Sequence, residues 1–305
     1  MKDLLNRRRF LGTGLASAAL VSITEPAKAV EVFSHAGPPR MRLSLAAYSF
    51  RDDFKAAKEG TPARMDMFSF LDFCAEHGCD GAELTSYYFP EPVSDEYLAK
   101  VRRHAHLRGV TVSGTAVGND FCLPPGPKRD ETISSVKSWI QRASVLGAPH
   151  IRVFAGSAHD QEMSVAKRLC IEALEECAEA AGRAGIFLGI ENHGGIVAES
   201  ADLLEIVRAV RSPWVGINLD TGNFHTDDPY ADLAQCAPYA VNVQFKGKIR
   251  RRNQKEVETA DYARTFQILR DARYQGWVAL EYELPEDPWK RVPEMLDAMR
   301  PFMKS

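Results

Sequence analysis

Four short segments in the second half of the chain each end an apolar run with a carboxylate or an amide side chain. Successive members of this set lie 24 to 37 residues apart, and they are Glu191, Asp220, Gln244 and Glu281. Apolar runs of this kind predict buried parallel strands, whose carboxyl ends meet at one end of a sheet or barrel. Because unpaired charges are unfavourable to bury together, the convergence of these oxygen atoms predicts a divalent cation between them.

Further polar residues at the predicted strand ends extend this set of reactive groups. Around the predicted rim they are Tyr48, Glu83, Arg152, His193, Asn223, Lys246 and Glu283. Side chains two residues apart on a strand share a face, so Glu191 and His193 form a same-side pair. The same spacing pairs Gln244 with Lys246.

The elements that must position these groups alternate along the chain from Leu43 onward. The predicted strands are residues 43–50, 81–87, 110–117, 151–155, 187–192, 216–219, 241–245 and 277–282. Segments with helical periodicity lie between them, at residues 65–76, 95–107, 132–146, 165–184, 201–209, 231–236, 262–272 and 289–303. Eight strand–helix units of this length predict an α/β fold, a single (β/α)8 barrel. A doubly wound open sheet is the alternative, but the residues after the first strand lack its glycine-rich phosphate turn.

Three motifs at the predicted strand ends carry a family resemblance. They read Ile-Glu-Asn-His at 190–193, Leu-Asp-Thr-Gly-Asn at 219–223 and Leu-Glu-Tyr-Glu at 280–283. With these motifs, residues 42–303 resemble the xylose-isomerase-like barrel superfamily. The resemblance is strongest to its sugar isomerase/epimerase branch, which includes relatives of tagatose 3-epimerase, hydroxypyruvate isomerase and inosose dehydratase.

The resemblance implies one divalent metal with ligands after the fifth, sixth, seventh and eighth strands. Glu191, Asp220 and Glu281 match the family's glutamate, aspartate and glutamate, whereas Gln244 stands where relatives often have the histidine of a His-x-Lys motif. A glutamine carbonyl oxygen suits Mn, Mg or Ca better than Zn. We therefore expect one divalent cation, Mn, Mg or Co rather than Zn, bound by these four residues.

Such a site suits proton transfer next to a carbonyl group. The cation would chelate two adjacent sugar oxygens and stabilise the enediolate that forms when the α-proton leaves. One carboxylate takes the proton and another returns it, and Glu191 and Glu281 are the predicted pair. Lys246 and His193 are predicted to hold the oxyanion or a hydroxyl group, which completes the predicted catalytic set.

Several rim residues are predicted to contact the substrate. They are Glu83, Arg152, Asn223, Arg250 and Tyr87. Structural roles are the alternatives: Glu83 and Arg152 could form an ion pair inside the barrel, and His193 could satisfy a backbone carbonyl. Gln244 could bond a neighbouring loop instead of a metal.

The amino terminus indicates export. Residues 6–11 read Asn-Arg-Arg-Arg-Phe-Leu, a weakly apolar stretch follows, and Ala27-Lys28-Ala29 would allow cleavage before Val30. The predicted organisation is a twin-arginine signal peptide at 1–29, a linker at 30–41 and the barrel at 42–305, with a periplasmic or extracellular location. A disordered basic tail is the alternative.

Charge and hydropathy limit the partners. Removing residues 1–29 takes five of 38 basic and two of 41 acidic residues, which leaves 33 and 39 and a net charge of −6. This balance argues against nucleic acid as a partner. No second apolar stretch reaches spanning length, so no membrane association is expected after the signal is removed. The predicted partner is a small carbohydrate, and assembly into a homo-oligomer stays open.

These observations favour a divalent-metal-dependent isomerase or epimerase of a sugar or keto-sugar. The alternatives are a metal-dependent lyase or hydratase acting on 3-keto-glycosides, and a non-catalytic sugar-binding barrel. An apurinic-site nuclease of the same superfamily would need a histidine-rich zinc cluster and a basic groove. Eight histidines scattered through an acidic chain supply neither.

Overall fold

Eight parallel strands close into a barrel in the computed structural model, which describes residues 29–58 and 64–303. The barrel strands are β1 (Arg40–Ala46), β2 (Gly81–Thr85), β3 (Thr111–Ala116), β4 (His150–Phe154), β5 (Phe187–Glu191), β6 (Val215–Asp220), β7 (Ala240–Phe245) and β10 (Gln275–Leu280). A short antiparallel hairpin, β8 (Lys248–Ile249) with β9 (Glu258–Thr259), lies outside the barrel. Strands pair in chain order and β10 pairs with β1, which closes the ring. The predicted single (β/α)8 barrel is confirmed.

Helices cover the barrel between the strands. They are α1 (Arg51–Lys58), α2 (Met67–Glu76), α3 (Asp95–Leu107), α4 (Pro127–Leu146), α5 (Met163–Ala184), α6 (Ser200–Ala209), α7 (Pro229–Cys236), α8 (Tyr262–Asp271) and α9 (Pro288–Met303). Local sequence sets their limits. The Asp66 side chain caps α2 by accepting a hydrogen bond from the Ser69 N–H at 2.8 Å. Gly147 ends α4 with φ 83°, in the left-handed region that glycine adopts most readily.

Several predicted strands run too far at their carboxyl ends, and the difference is largest at β1. The strand predicted at 43–50 stops at Ala46, and a 3-10 turn follows at Ala47–Phe50 before helix α1, which was not predicted. The strand predicted at 81–87 likewise ends at Thr85 in a turn at Ser86–Tyr88. Ala47 and Phe50 are buried, so the apolar pattern continues although the strand has ended. Hydrophobic pattern alone does not separate a buried turn from a strand.

The barrel interior next to the predicted site is polar. Glu83 on β2 reaches across the barrel to hydrogen-bond Asn242 and Gln244 on β7, and all three side chains are buried. Buried polar groups need partners, because each unmade hydrogen bond is unfavourable. Polar side chains on the inner faces of β2 and β7 therefore hold Gln244 in place.

The segment before β1 packs against the amino-terminal side of the barrel. The Val30 N–H donates to the Val210 carbonyl at 3.1 Å, and the Phe33 ring meets the Phe187 ring edge-on at 6.0 Å. The linker was predicted to extend to residue 41, but β1 begins at Arg40, which pairs with Gln275. The predicted signal peptide lies outside the described residues apart from Ala29 and stays a prediction.

Candidate active site

A buried carboxylate at the end of β5 has three partners. Arg152 Nε lies 3.0 Å from Glu191 Oε2, and the two side chains form a buried ion pair. His193 Nδ1 lies 2.9 Å from Oε1, and the Asn223 amide donates to the same oxygen at 3.0 Å. Burial alone would raise the pKa of Glu191, but the charge of Arg152 and the contact with His193 hold that pKa below its usual value. Glu191 is therefore ionised at neutral pH and able to accept a proton.

Arg152, the partner of Glu191, is itself anchored on several sides. Its Nη1 donates to the Val117 carbonyl at 2.8 Å and lies 3.4 Å from the Tyr87 hydroxyl. Its guanidinium stacks over the Phe154 ring at 4.0 Å. Arg152 thus pairs with Glu191 and makes no ion pair with Glu83 in the described part of the chain, contrary to one of the structural alternatives.

A lysine directly after β7 is the centre of a second charge cluster. Lys246 Nζ lies 2.5 Å from Glu281 Oε2, 2.8 Å from Glu283 Oε2 and 3.3 Å from Asp220 Oδ2. Burial would lower the pKa of Lys246, but Asp220 and the two glutamates raise it well above its ordinary value. Lys246 is therefore a permanent positive charge among three carboxylates. Lys248 Nζ approaches Glu283 from another direction, at 3.3 Å.

Asp220 and Glu281, beside Lys246, differ from Glu191 in the direction in which their pKa values shift. Burial raises the pKa of Asp220 to about 8; Lys246 opposes this shift, while Glu191 and Glu281 add to it. Burial likewise raises the pKa of Glu281. Asp220 Oδ1 accepts a hydrogen bond from the Gly222 N–H at 2.8 Å, whereas Oδ2 is buried without an aligned hydrogen bond. The pKa of Glu191 is thus lowered, whereas the pKa values of Asp220 and Glu281 are raised.

A closed ring of hydrogen bonds lies beside these carboxyl groups and holds Gln244. The Gln244 amide nitrogen donates to Glu83 Oε1 at 2.9 Å, and the Asn242 amide nitrogen donates to Glu83 Oε2 at 3.0 Å. Asn242 also donates to Asn218 Oδ1, and Asn218 donates to Gln244 Oε1, each at 2.7 Å. Both Glu83 oxygens accept in this ring, and every amide in it donates through its nitrogen.

Sequence reasoning missed two members of this ring. Asn218 and Asn242 stand two residues before Asp220 and Gln244 on their strands, so they point to the same inner face. That spacing was a usable signal. Glu83, a predicted substrate contact, has both carboxylate oxygens bonded to protein amides.

The four predicted metal ligands suit a divalent cation in their chemistry. Glu191, Asp220, Gln244 and Glu281 are all oxygen donors, and Asp220 Oδ2, which lies near the Lys246 ammonium, accepts no aligned hydrogen bond from the described residues. In this structure the four side chains contact protein groups. The Lys246 ammonium lies against Asp220 and Glu281, and the Gln244 amide nitrogen, not its oxygen, lies 3.3 Å from Glu281 Oε1. Within residues 29–58 and 64–303, no group of three or more histidine, cysteine, aspartate or glutamate side chains is placed to hold a metal ion. The ligand assignments stay predictions.

The structure gathers most of the predicted site residues at one end of the barrel. His193 and Asn223 contact each other at 3.2 Å beside Glu191, and Tyr87 reaches the same group through Arg152. His193 also opens onto a cleft of about 280 Å³ whose walls include Phe154 and Gly194. Arg250 is exposed on the loop after β8 and is not among the contacts of the buried site. Its role as a substrate contact stays a prediction.

The residues that the structure describes contain no helix long and apolar enough to cross a membrane.

Among curated proteins, the chain is similar to a 3-oxo-isoapionate decarboxylase of Pectobacterium atrosepticum, with 25% identity over 248 residues that cover 79% of this chain and 74% of that protein.

Two solved structures illustrate how widely the fold is shared. A D-psicose 3-epimerase with D-tagatose from Clostridium cellulolyticum H10 superposes with a TM-score of 0.71 at 15% identity, covering 87% of this chain and 100% of that chain. A 3-keto-D-glucoside 4-epimerase from E. coli gives a TM-score of 0.65 at 16% identity, covering 86% and 100%. At these identities the likeness shows the fold.

A family model described as xylose isomerase-like TIM barrel matches residues 71–299. This match extends from α2 to α9 and includes Glu191, Asp220 and Glu281 of the candidate site. The chain therefore belongs to the xylose isomerase-like TIM barrel family.

Proposed function

We propose that the protein is an enzyme that removes a proton next to the carbonyl group of a sugar or keto-sugar, and so isomerises or epimerises it. The observation that carries this proposal is the presence of two buried acid groups with different cation partners at one end of the barrel. Glu191 is paired with the Arg152 guanidinium, and Glu281 is paired with the Lys246 ammonium. Proton removal and proton return need two acid–base groups in different surroundings.

Glu191 is the proposed base. His193 and Asn223 bind its Oε1 and Arg152 binds its Oε2, so the carboxylate is oriented before the substrate arrives. Proton loss from the carbon next to a carbonyl leaves an enediolate, whose negative charge the Lys246 ammonium is placed to stabilise. Glu281, in contact with Lys246 at 2.5 Å, is the proposed group that returns the proton.

The proposal includes one divalent cation, Mn, Mg or Co, held by Glu191, Asp220, Gln244 and Glu281. When bound, the cation supplies positive charge to the carbonyl and hydroxyl oxygens of the substrate. The all-oxygen donor set and the unbonded Asp220 Oδ2 support this assignment.

The names of two relatives support a ketone-bearing carbohydrate as the substrate. One relative is named for a 3-oxo acid and the other for a 3-keto-glucoside. The decarboxylase name also favours a second candidate that passes through the same enolate. There Glu191 would remove the proton next to the ketone, and the enolate would expel the alkoxide on the adjoining carbon, which takes a proton from the acid group and leaves as the alcohol. A lyase or hydratase acting on 3-keto-glycosides is this second candidate.

Solvent exchange tests the reaction class directly. Purified protein with Mn²⁺ or Mg²⁺ is incubated in D2O with D-fructose, D-tagatose or a 3-keto-glucoside, and proton NMR follows the signal of the C–H next to the ketone. We expect exchange in the wild type and a loss of roughly 10²- to 10⁴-fold in Glu191→Gln, the range for one general base. Glu96→Gln, at an exposed glutamate on α3, is the matched control and should exchange normally.

The outcomes separate the alternatives. Release of the aglycone from the 3-keto-glycoside would identify the lyase. Exchange that is equally fast in Glu191→Gln would show that another group is the base. Tight sugar binding without any exchange would identify a non-catalytic sugar-binding barrel.

We also propose that residues 1–29 direct export by the twin-arginine route. The order of the arginines, the apolar stretch and the Ala-Lys-Ala site supports this. Replacing Arg7 and Arg8 together by lysine should leave the uncleaved precursor in the cytoplasm, as measured by cell fractionation and intact mass. A mature protein that still begins at Val30 outside the cytoplasm would contradict the proposal.

A further inference from the structure

Lys246 stands where two different sets of carboxylates overlap. Asp220 and Glu281 are proposed cation ligands, and the Lys246 ammonium lies 3.3 and 2.5 Å from them. Glu283 is outside that ligand set, yet it lies 2.8 Å from the same ammonium. The lysine therefore contacts both the proposed ligands and a carboxylate that the ligand set does not use.

An ammonium and a divalent cation compete for the same oxygens. Their like charges repel strongly at contact distances in a buried site, and this repulsion falls as they separate. The Lys246 side chain is only 2% exposed, so solvent cannot screen the repulsion there. Occupation of the ligand set by a cation thus requires the ammonium to leave Asp220 and Glu281.

The surroundings of Lys246 hold the stem of its side chain in place. The Lys246 N–H donates to the Thr221 hydroxyl at 3.1 Å. A Cβ on Gly222 would lie 2.8 Å from the Lys246 Cβ and Cγ, so the turn after β6 fits closely against the stem. Any displacement of the ammonium must therefore come from rotation about the bonds beyond Cγ.

Glu283 is the acceptor toward which the ammonium can swing. Its side chain is 23% exposed, against 0% for Asp220 and 6% for Glu281, so it lies nearest to solvent of the three partners. Movement toward Glu283 would keep one ion pair intact while the two inner carboxylates become available.

On the basis of the cation site proposed above, we propose that Lys246 is a built-in counter-ion that occupies the cation position in the metal-free protein. The ammonium withdraws to Glu283 when a divalent cation enters. Lys246 thereby keeps the buried carboxylates together without metal, and it weakens metal binding because it must be displaced. The proposed ligand class is a divalent cation that prefers oxygen donors.

Calorimetric titration of EDTA-treated protein with Mn²⁺ tests this role. The proteins compared are wild type, Lys246→Met and Lys248→Met. Lys248 is the matched control, because it contacts Glu283 at 3.3 Å and forms no ion pair with Asp220 or Glu281. We expect Lys246→Met to bind Mn²⁺ at least about tenfold more tightly than wild type, and Lys248→Met to stay within about twofold, because displacement concerns only the inner lysine.

The outcomes distinguish this inference from the proposed function. If wild type and Lys246→Met bind Mn²⁺ with equal affinity, the counter-ion role is wrong and the metal site stands. If Lys246→Met binds more weakly, the lysine assists the metal and the counter-ion role is also wrong. If none of the three proteins binds Mn²⁺, the metal site of the proposed function fails, and the counter-ion role fails with it.

A second measurement needs no variant, in case Lys246→Met does not fold. Crystal structures of wild type in EDTA and in Mn²⁺ should show Lys246 Nζ near Glu281 without metal and in contact with Glu283 alone when metal is bound. A Lys246–Glu281 separation that stays near 2.5 Å in both crystals would overturn the proposal.

Discussion

Glu191 at the end of β5 and the pair of Asp220 and Glu281 beside Lys246 share one barrel mouth and are similarly buried, yet their pKa values shift in opposite directions. Glu191 has the Arg152 ion pair and two further partners for itself, and its pKa is lowered. Asp220 and Glu281 share a single ammonium with Glu283, and their pKa values are raised. Burial is common to both regions, so the number of cations and donors for each carboxyl group decides the direction in which its pKa shifts.

The largest effect is expected from removing the cation of the Glu191 region. Arg152→Met leaves Glu191 buried without its guanidinium partner, and the loss of one partner of a buried ion pair typically costs about 3–5 kcal/mol. Urea unfolding should show a decrease of this size in the free energy of unfolding. The acid limb of the exchange rate should also move to higher pH, because Glu191 would then titrate at a higher pKa.

Arg183→Met is the control for this variant. Arg183 pairs with Glu179 on the exposed face of α5, so its removal should leave both measurements unchanged. A stable Arg152→Met protein with an unshifted pH profile would mean that Arg152 does not set the charge of Glu191.

A smaller effect is expected in the hydrogen-bonded ring that contains Gln244 and lies beside Glu281. Asn218→Ala removes the donor to Gln244 Oε1 and the acceptor of Asn242, which leaves buried amide groups unsatisfied. The free energy of unfolding should fall by about 1–3 kcal/mol. Gln267→Ala breaks an exposed hydrogen bond to Asp271 and should change it by less than about 0.5 kcal/mol. Similar changes in the free energy of unfolding for both variants would show that water satisfies the amide groups left by Asn218→Ala.

The pH dependence of stability should have opposite signs in the two regions, measured in EDTA. The folded pKa of Asp220 is about 8 against an ordinary value of 3.8, so between these values the unfolded chain binds fewer protons and stability falls as pH rises. Glu191 has a lowered folded pKa, so its contribution is present above its unfolded pKa and is lost as pH falls through the folded pKa.

Each group can contribute a slope of at most about 1.4 kcal/mol per pH unit. Asp220→Asn should therefore flatten the decline in stability toward pH 8, whereas Glu191→Gln should flatten the decline at acid pH. Unfolding free energies collected across both windows check this. An unchanged alkaline decline in Asp220→Asn would show that Asp220 is ionised in the folded protein.

The smallest effect is expected outside both regions. Lys137 pairs with Glu176 at 2.7 Å between α4 and α5, and both side chains are more than a third exposed. Such pairs contribute about 0–1 kcal/mol. Lys137→Met should lower the free energy of unfolding by less than about 1 kcal/mol, and thermal unfolding would detect a larger value. A loss as large as that of Arg152→Met would remove the contrast between buried and exposed pairs.

The sequence predicts the order of the elements well and their ends less well. The bounds of α3, at 95 and 107, were predicted correctly, because its amphipathic pattern starts after the capping residue Ser94. The end of β1 was predicted four residues too late, because Phe50 is buried in a turn. Pattern reports burial, and burial does not depend on whether the backbone is extended.

The sequence by itself determined that the barrel would form and that acid side chains would follow β5, β6 and β10. Both follow from local patterns, since apolar runs make buried strands and parallel strands place their ends together. Only the tertiary structure decided which cation each carboxylate meets. Arg152 comes to Glu191 from β4, and Lys246 comes to Glu281 and Asp220 from the end of β7. These partners are distant in sequence, so the charge states of the site arise from contacts that exist only once the barrel is closed.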